Sequence, residues 1–251
     1  MRIDILTLFP EMCYSVLRES ITGRALERGL VEIYCRNIRD YTDDKHGRVD
    51  ATPYGGGSGM ILRAQPVYDC FESLCRETGR RPHLVYLSPQ GEPFTQKHAA
   101  RLADKENLAL LCGHYEGVDR RVIDEIADEE LSAGDFVLTG GELPALMIAD
   151  AVTRLLPGVL AGEEAFTMES HFDSLLEHAQ YTRPAVWRGR KVPGVLLEGN
   201  HEAVEAWRRR ESIKLTARRR PDLIAGAALN PRERRFANQI IKGSHEADEG
   251  G

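Results

Sequence analysis

The chain is short of long apolar runs. None of its 251 residues falls in a stretch that approaches a membrane span. The N-terminus, MRIDILTLF, mixes acid and base into a strand pattern and lacks the apolar centre of a secretion signal. A cytoplasmic setting is expected. Cysteine is sparse: Cys13, Cys35, Cys70, Cys75 and Cys112 are scattered, with no CxxC pair and no Cys/His ligand spacing, so they read as reduced, buried thiols. The common nucleotide signatures are missing too. No GxGxxG follows the first strand and there is no GxxxxGK[ST], which leaves neither a usual dinucleotide fold nor a P-loop. Neither GxSxG nor HExxH occurs, which removes two hydrolase classes.

Hydrophobic residues at 42% and charged residues at 29% describe an ordinary globular protein with room for one large domain or two smaller ones. A net charge of −6 speaks weakly against a polyanionic partner, but the charge is unevenly spread. Positions 186–243 hold 14 Lys/Arg and 6 Asp/Glu, an excess of +8 that leaves −14 for the remainder. A basic tail on an acidic body is the asymmetry of a part that meets nucleic acid. A solvated helical face has the same composition, and charge alone leaves both readings open.

The most informative stretch lies between His83 and Pro144. Three short apolar runs, at 84–88, 108–112 and 135–138, read as buried strands, each ending in a punctuated loop. Periodicity predicts helices over 65–78, 95–106, 120–130 and, most strongly, 144–156, where a proline opens a wide apolar face. Upstream, 2–9 and 30–38 read as strands, separated by a helix over 11–28 that Gly23 weakens or breaks. Strand followed by helix, repeated, is the pattern of a doubly wound α/β sheet. Such sheets bind ligands beyond the carboxyl ends of their strands. The glycine-dense segment 39–60 is expected to be a mobile loop. Pro157 and Gly158 end the last of these helices, and periodicity fades through 159–175 as in a linker. A turn-rich piece at 181–201 leads to a helix over 201–215, with Ala203, Val204 and Trp207 inward and Arg208, Arg209 and Arg210 outward. Basic residues at 218–220 and a polar, frayed SHEADEGG tail complete a small second unit.

Three polar loops hold the candidate chemistry. The loop of Ser88, Pro89, Gln90 and Gly91 offers backbone donors, from its residues other than the proline, beside a strand end. Gly113, His114, Tyr115, Glu116 and Gly117 set a carboxylate and an aromatic between two glycines, and the loop from Leu138 runs into a helix N-terminus. Backbone amides, one carboxylate and apolar walls suit a zwitterionic or nucleoside-like small molecule, with Glu116 placed to pair an ammonium. Any one of these loops alone reads as an ordinary tight turn; three in one sheet favour a site. Arg154, four residues after Asp150, reads as a surface ion pair or as a cation stabilising charge on a reacting oxygen. Glu169, beside Ser170 and His171, is a candidate proton acceptor if something orders its segment.

These stretches together resemble the bacterial tRNA (guanine-N1)-methyltransferases of the SPOUT class along essentially the whole chain. The motifs are LFPEM at 8–12, TGRA at 22–25, PYGGGSGM at 53–60, YLSPQG at 86–91, CGHYEGVDRRV at 112–122, GDFVLTGGELPA at 134–145, RLLPGVL at 154–160, YTRP at 181–184 and GNH at 199–201. The resemblance implies an α/β catalytic domain over 1–160 with a deep C-terminal trefoil knot. A flexible linker over 161–175 would contribute the catalytic carboxylate, and a small, mostly helical domain over 176–251 would bind tRNA. S-adenosylmethionine would lie against Tyr86, Leu87, Ser88, Pro89, Gln90, Gly113, Tyr115, Glu116, Gly117, Ala133, Gly134, Phe136, Leu138, Gly140, Gly141 and Pro144, with Glu116 at the methionine end. The implied partners are a second copy, in a homodimer with composite active sites, and the tRNA anticodon arm, with no membrane and no DNA. RNA-side contacts would come from Tyr54, Gly55, Gly59, Ser170, Arg183, Arg208, Arg209 and Lys214.

The implied reaction is methyl transfer to N1 of guanosine 37, just 3′ of the anticodon, with Glu169 as general base and Arg154 stabilising charge on O6. Magnesium activation belongs to the resemblance, although no carboxylate cage is visible in the sequence. Two positions depart from the family pattern: Glu169 stands at its usual aspartate, and His114 at the arginine of its CGRYEG block. Two other readings use the same residues: a SPOUT methyltransferase acting at another RNA site, or an RNA-binding module that holds S-adenosylmethionine without turnover. The basic C-terminal excess favours the guanine-N1 arrangement.

Overall fold

A strand buried on both faces needs apolar side chains at odd and even positions alike, and β1 (Arg2–Thr7) is built this way. Ile3 and Ile5 enter one core cluster, while Leu6 enters the other. Asp4 is one of two buried polar exceptions, with Thr7; it is 1% exposed, and it is paired: Arg2 Nε and Arg36 Nε each reach its carboxylate at 2.8 Å. A buried charge is tolerated when its partners are this close. The computed structural model describes residues 1–162 and 169–248. They divide into two units, Met1–Ala161 and Gly162–Gly251.

In the first unit β1 is followed by α1 (Pro10–Leu17), α2 (Ser20–Glu27) and β2 (Glu32–Asn37). The single helix expected over 11–28 is two helices, and the break is not at Gly23. Gly23 lies buried inside α2, where a Cβ would stand 2.2 Å from the Arg18 carbonyl oxygen. The glycine serves the close approach of the two helices. A short hairpin, β3 (Asp50–Ala51) with β4 (Ile61–Leu62), brackets the glycine-rich stretch. Then come α3 (Ala64–Thr78), β5 (His83–Pro93), α4 (Gln96–Ala103), β6 (Asn107–Cys112), α5 (Arg120–Ile126), β7 (Glu129–Ser132) and α6 (Glu142–Thr153).

The main sheet has the order β2-β1-β6-β5-β7, with every pairing parallel. Alternate residues of β6 divide between its faces. Leu108, Leu110 and Cys112 pack with side chains of α1, α2, α4 and α6, whereas Ala109 and Leu111 pack with those of α3 and α5. The doubly wound α/β expectation holds at this level. Its third strand does not lie where expected: the run Asp135–Leu138 is no strand, and β7 precedes it. Leu131 and Ser132 are buried and pair with β5, whereas Phe136 and Val137 are 53% and 83% exposed. A strand needs a ladder partner before it needs hydrophobicity, and 135–138 has none.

In the second unit, a hairpin of β8 (Val186–Trp187) and β9 (Arg190–Lys191) precedes α7 (His201–Arg219) and α8 (Pro231–Asp248). Asn200 caps α7 by accepting from Ala203 N at 3.1 Å. Its buried side is Ile213, Thr216 and Ala217, packed with Leu175, Ile224, Ala227 and Ala237. Arg208 and Arg209 are half-buried and only Arg210 is exposed, so the three arginines do not share one outward face. The helix α8 was not expected from sequence, and it extends into the expected polar tail. Residues 163–168 of the expected linker and 249–251 of the tail lie outside the described residues. Among the described residues no helix is long and apolar enough to cross a membrane.

Candidate functional site

The carboxyl ends of β5, β6 and β7 converge on a cleft of about 420 Å³, within the range of small-molecule sites. At β5 the sheet is interrupted, because Leu87 and Glu92 both pair with Leu131, and residues 88–91 bulge between them. Gly91 makes the bulge possible, since a Cβ there would lie 2.6 Å from the backbone of Glu130 and Leu131. The Ser88 hydroxyl accepts from Gln90 N at 3.1 Å and shapes the bulge. Tyr86, at 8% exposure, forms part of the floor, and burial raises the pKa of its hydroxyl. Burial likewise pushes the Cys112 thiol well above its ordinary value, so this neighbour of the cleft is no thiolate nucleophile.

The loop after β6 is pinned from two sides. On one, Glu116 N donates to Met60 O at 3.0 Å and Leu62 N donates to Gly117 O at 2.9 Å. On the other, Gly141 N donates to Gly113 O at 2.8 Å, and His114 bridges to Gly140. Tyr115 is held at φ 60°, a strained conformation of the kind found at ligand sites. Gly59 lies so close to Glu116 that a Cβ would stand 2.4 Å from Oε1, which brings the 53–60 loop against the cleft's carboxylate.

The loop after β7 supplies the third wall. Gly141 passes the end of β6 so closely that a Cβ would lie 2.7 Å from Cys112 Cα. Tyr86, Leu87, Ser88, Pro89, Gln90, Gly113, Tyr115, Glu116, Gly117, Ala133, Phe136, Leu138, Gly140, Gly141 and Pro144 all line the cleft. Gly134 does not line it; at φ 143° it turns the chain beneath Phe136. Val118 and Ile123 add apolar wall that the motif reading missed.

Sequence reasoning also missed a buried polar cluster behind this wall. Glu142, the first residue of α6, is 3% exposed and accepts from the Thr7 hydroxyl at 2.8 Å. The same hydroxyl accepts from Phe9 N at 2.9 Å. A Cβ on Gly140 would meet Glu142 Oε2 at 2.3 Å and His114 Nδ1 at 2.7 Å. His114 packs against Phe9 and Tyr115, with ring centroids at 5.1 and 4.7 Å. The available signal was a glutamate in the first turn of an apolar helix.

Arg154 closes α6, and its N–H donates to Asp150 O at 3.0 Å. The Asp150 carboxylate instead accepts from Thr22 at 3.2 Å, tying α2 to α6. Tyr54 is fully exposed in the glycine loop, where Gly55 takes φ 86°. In the second unit, Ser170 Oγ accepts from Glu177 N at 2.9 Å. Glu169 lines a recess of about 270 Å³ with Glu177, His178, Glu205 and Arg208. Arg209 is engaged by Asp173, Glu233 and Ala228 O. Arg208 reaches Glu205 and Lys214 reaches Glu211; Arg183 is exposed.

A parallel α/β sheet with three strand-end loops around one carboxylate-bearing cleft defines an α/β protein with a cleft of the size and lining that suit a small molecule. Comparison narrows the class. The family described as tRNA (Guanine-1)-methyltransferase TrmD matches residues 1–226, and the chain belongs to it. The chain is 53% identical over 224 residues to the tRNA (guanine-N(1)-)-methyltransferase of Ruminiclostridium cellulolyticum, covering 89% of this chain and 96% of that one. It is 50% identical to the protein of the same name from Alkaliphilus oremlandii, covering 96% and 98%, and to that from Bacillus cereus, covering 97% and 100%.

Proposed function

We propose that this protein transfers a methyl group from S-adenosylmethionine to N1 of guanosine 37 in tRNA. The observation that carries the reading is the strand-end cleft, in a chain whose relatives of that name match it over nearly their full length. The cleft fits the methyl donor by the chemistry of its donors: Glu116 for an ammonium, Tyr86, Leu87, Phe136 and Leu138 for apolar surface, and glycines that admit close approach. When bound, S-adenosylmethionine supplies an electrophilic methyl group.

The residues of this chain supply the rest. N1 of a neutral guanine carries a proton and is a poor nucleophile. Glu169 removes that proton as general base, and Arg154 stabilises the negative charge that builds on O6. With N1 activated, transfer depends on positioning. Glutamate at 169 keeps the carboxylate and lengthens its reach by one methylene. A base in a single-stranded loop is accessible without opening a duplex, which fits an anticodon-arm substrate. Arg183, Arg208 and Lys214 belong to the basic second unit and are its candidate RNA contacts. Membership of the family supports a knotted path for the catalytic unit, and a homodimer with composite sites completes the reading. Magnesium would act as an activator without a protein cage, since no cluster of three or more His, Cys, Asp or Glu is found among the described residues.

The test is methyl transfer from labelled S-adenosylmethionine to a tRNA transcript with guanosine at position 37. The same transcript carrying adenosine there, and the Glu169→Ala enzyme, run beside it. Product on the first RNA alone, mapped to N1 and largely lost with Glu169→Ala, is expected. Equal product on both transcripts would refute the target.

A further inference from the structure

The segment that carries Glu169 is folded onto the second unit from residue 169 onward. Phe172 N donates to Glu169 O at 3.4 Å and His171 N to Leu175 O at 2.8 Å, closing a turn. Ser170 Oγ accepts from Glu177 N at 2.9 Å and Asp173 Oδ1 accepts from Leu175 N at 3.2 Å. Two bonds of different character then fix this turn to α7. Leu176 N donates to Thr216 Oγ1 at 2.8 Å, beside Leu175, which is 3% exposed in the unit's core. Arg209 reaches across from α7 to Asp173 Oδ2 at 2.9 Å.

Arg209 is itself braced. Its Nε donates to Glu233 Oε1 at 3.0 Å, and a terminal nitrogen donates to Ala228 O at 2.7 Å. Glu233 belongs to the N-terminal box of α8, where its other oxygen accepts from Asn230 N at 2.9 Å while Asn230 Oδ1 accepts from Glu233 N at 2.9 Å. The planar guanidinium thus joins three pieces of chain: the 169–177 turn, α7 and the start of α8. Such forked, charge-assisted geometry sets position as well as adding stability. Three of its N–H donors, one from each nitrogen, are directed to protein acceptors.

We infer that Arg209, acting through Asp173, is a positioning residue for the Glu169 carboxylate and not an RNA-backbone contact. This rests on the reading of Glu169 as general base. On this arrangement the base belongs to the RNA-binding unit, so RNA docking and delivery of the proton acceptor are one event. A misplacement of about 1 Å far from the chemistry can cost about a hundredfold in rate, so loosening this clamp slows transfer without weakening RNA capture.

The experiment uses the full chain and compares Asp173→Asn, Arg209→Gln, Glu169→Gln and the double variant Asp173→Asn/Glu169→Gln. Asp173→Asn is the gentle variant: it keeps the Oδ1 acceptor for Leu175 N and leaves Arg209 joined to Glu233 and Ala228. Single-turnover methylation at saturating tRNA and methyl donor is measured beside tRNA affinity over a salt series. The expected result for Asp173→Asn is a rate about 10- to 100-fold lower, with tRNA affinity and its salt slope as in the parent. The double variant should be no slower than Glu169→Gln alone, because both changes act on one carboxylate. A parent-like rate for Asp173→Asn, beside a slow Glu169→Gln, would overturn the positioning role alone. A parent-like rate for Glu169→Gln would overturn the base assignment and the inference with it. An Arg209→Gln enzyme that keeps its saturated rate but loses about one unit of salt slope would make Arg209 a phosphate contact.

Discussion

Thr7 and Glu142 are far apart in sequence and share one buried hydrogen bond behind the cleft wall. The Thr7 hydroxyl donates to the carboxylate and accepts from Phe9 N, so Thr7→Val strands a buried carboxylate oxygen and a part-buried N–H at nearly constant volume. Leaving such groups unpaired costs about 1–3 kcal/mol. The urea midpoint should fall accordingly, and an unchanged midpoint would mean the cluster is supported by other donors. Gly140 is the second sensitive residue. A methyl group there meets Glu142 and His114, and overpacking of this kind costs about 1–3 kcal/mol. Gly140→Ala should therefore weaken S-adenosylmethionine binding about tenfold or more, read by calorimetry on enzyme whose circular dichroism matches the parent. Full affinity would show that the two loops part without cost. None of this was legible in the motif TGGELP, because a glycine's reason lies in what packs against it.

At the scale of elements, β5 and β7 are locked by side chains as well as by their ladder. His83 Nε2 and Arg101 each lie 2.6 Å from a Glu129 oxygen. Burial alone would raise the Glu129 carboxyl, but these hydrogen bonds prevail and hold it below its ordinary value. The unfolded chain therefore binds this proton more readily than the folded one. Its contribution to stability is complete above the usual glutamate range, near pH ~4.3, and is lost as pH falls through the lower folded value. In Arg101→Ala the drop in urea midpoint between about pH 6 and about pH 3.5 should be smaller than in the parent. An equal drop would assign the acid sensitivity to other carboxylates. Periodicity found α3, β6 and α6 to within a few residues, and β5 as far as its bulge, because each has a one-face or two-face apolar pattern. It misplaced β7 because Glu129–Ser132 looks polar until Leu131 meets its ladder partner, and it merged α1 with α2 because no local signal marks their break.

At the scale of the whole molecule, the described residues that line the cleft and build both sheet-face cores belong to the first unit, and the hydrogen bonds that Ser170, Asp173 and Leu176 make around the Glu169 turn belong to the second. A fragment of residues 1–161 should accordingly retain S-adenosylmethionine binding within a few fold and lose methyl transfer to tRNA. Equilibrium binding and the labelled-methyl assay check the two halves, and loss of donor binding by a folded fragment would mean the cleft depends on the rest of the chain or on a partner. The sequence by itself determined the α/β class, the three strand-end loops and the family, because these rest on local periodicity and on long ordered motifs. Tertiary structure alone decided which strand closes the sheet, why Gly23, Gly91, Gly140 and Gly141 are glycines, and what Arg209 holds. Those are matters of close approach and of buried partners distant in sequence, and the identity of a single residue does not encode who its neighbour will be.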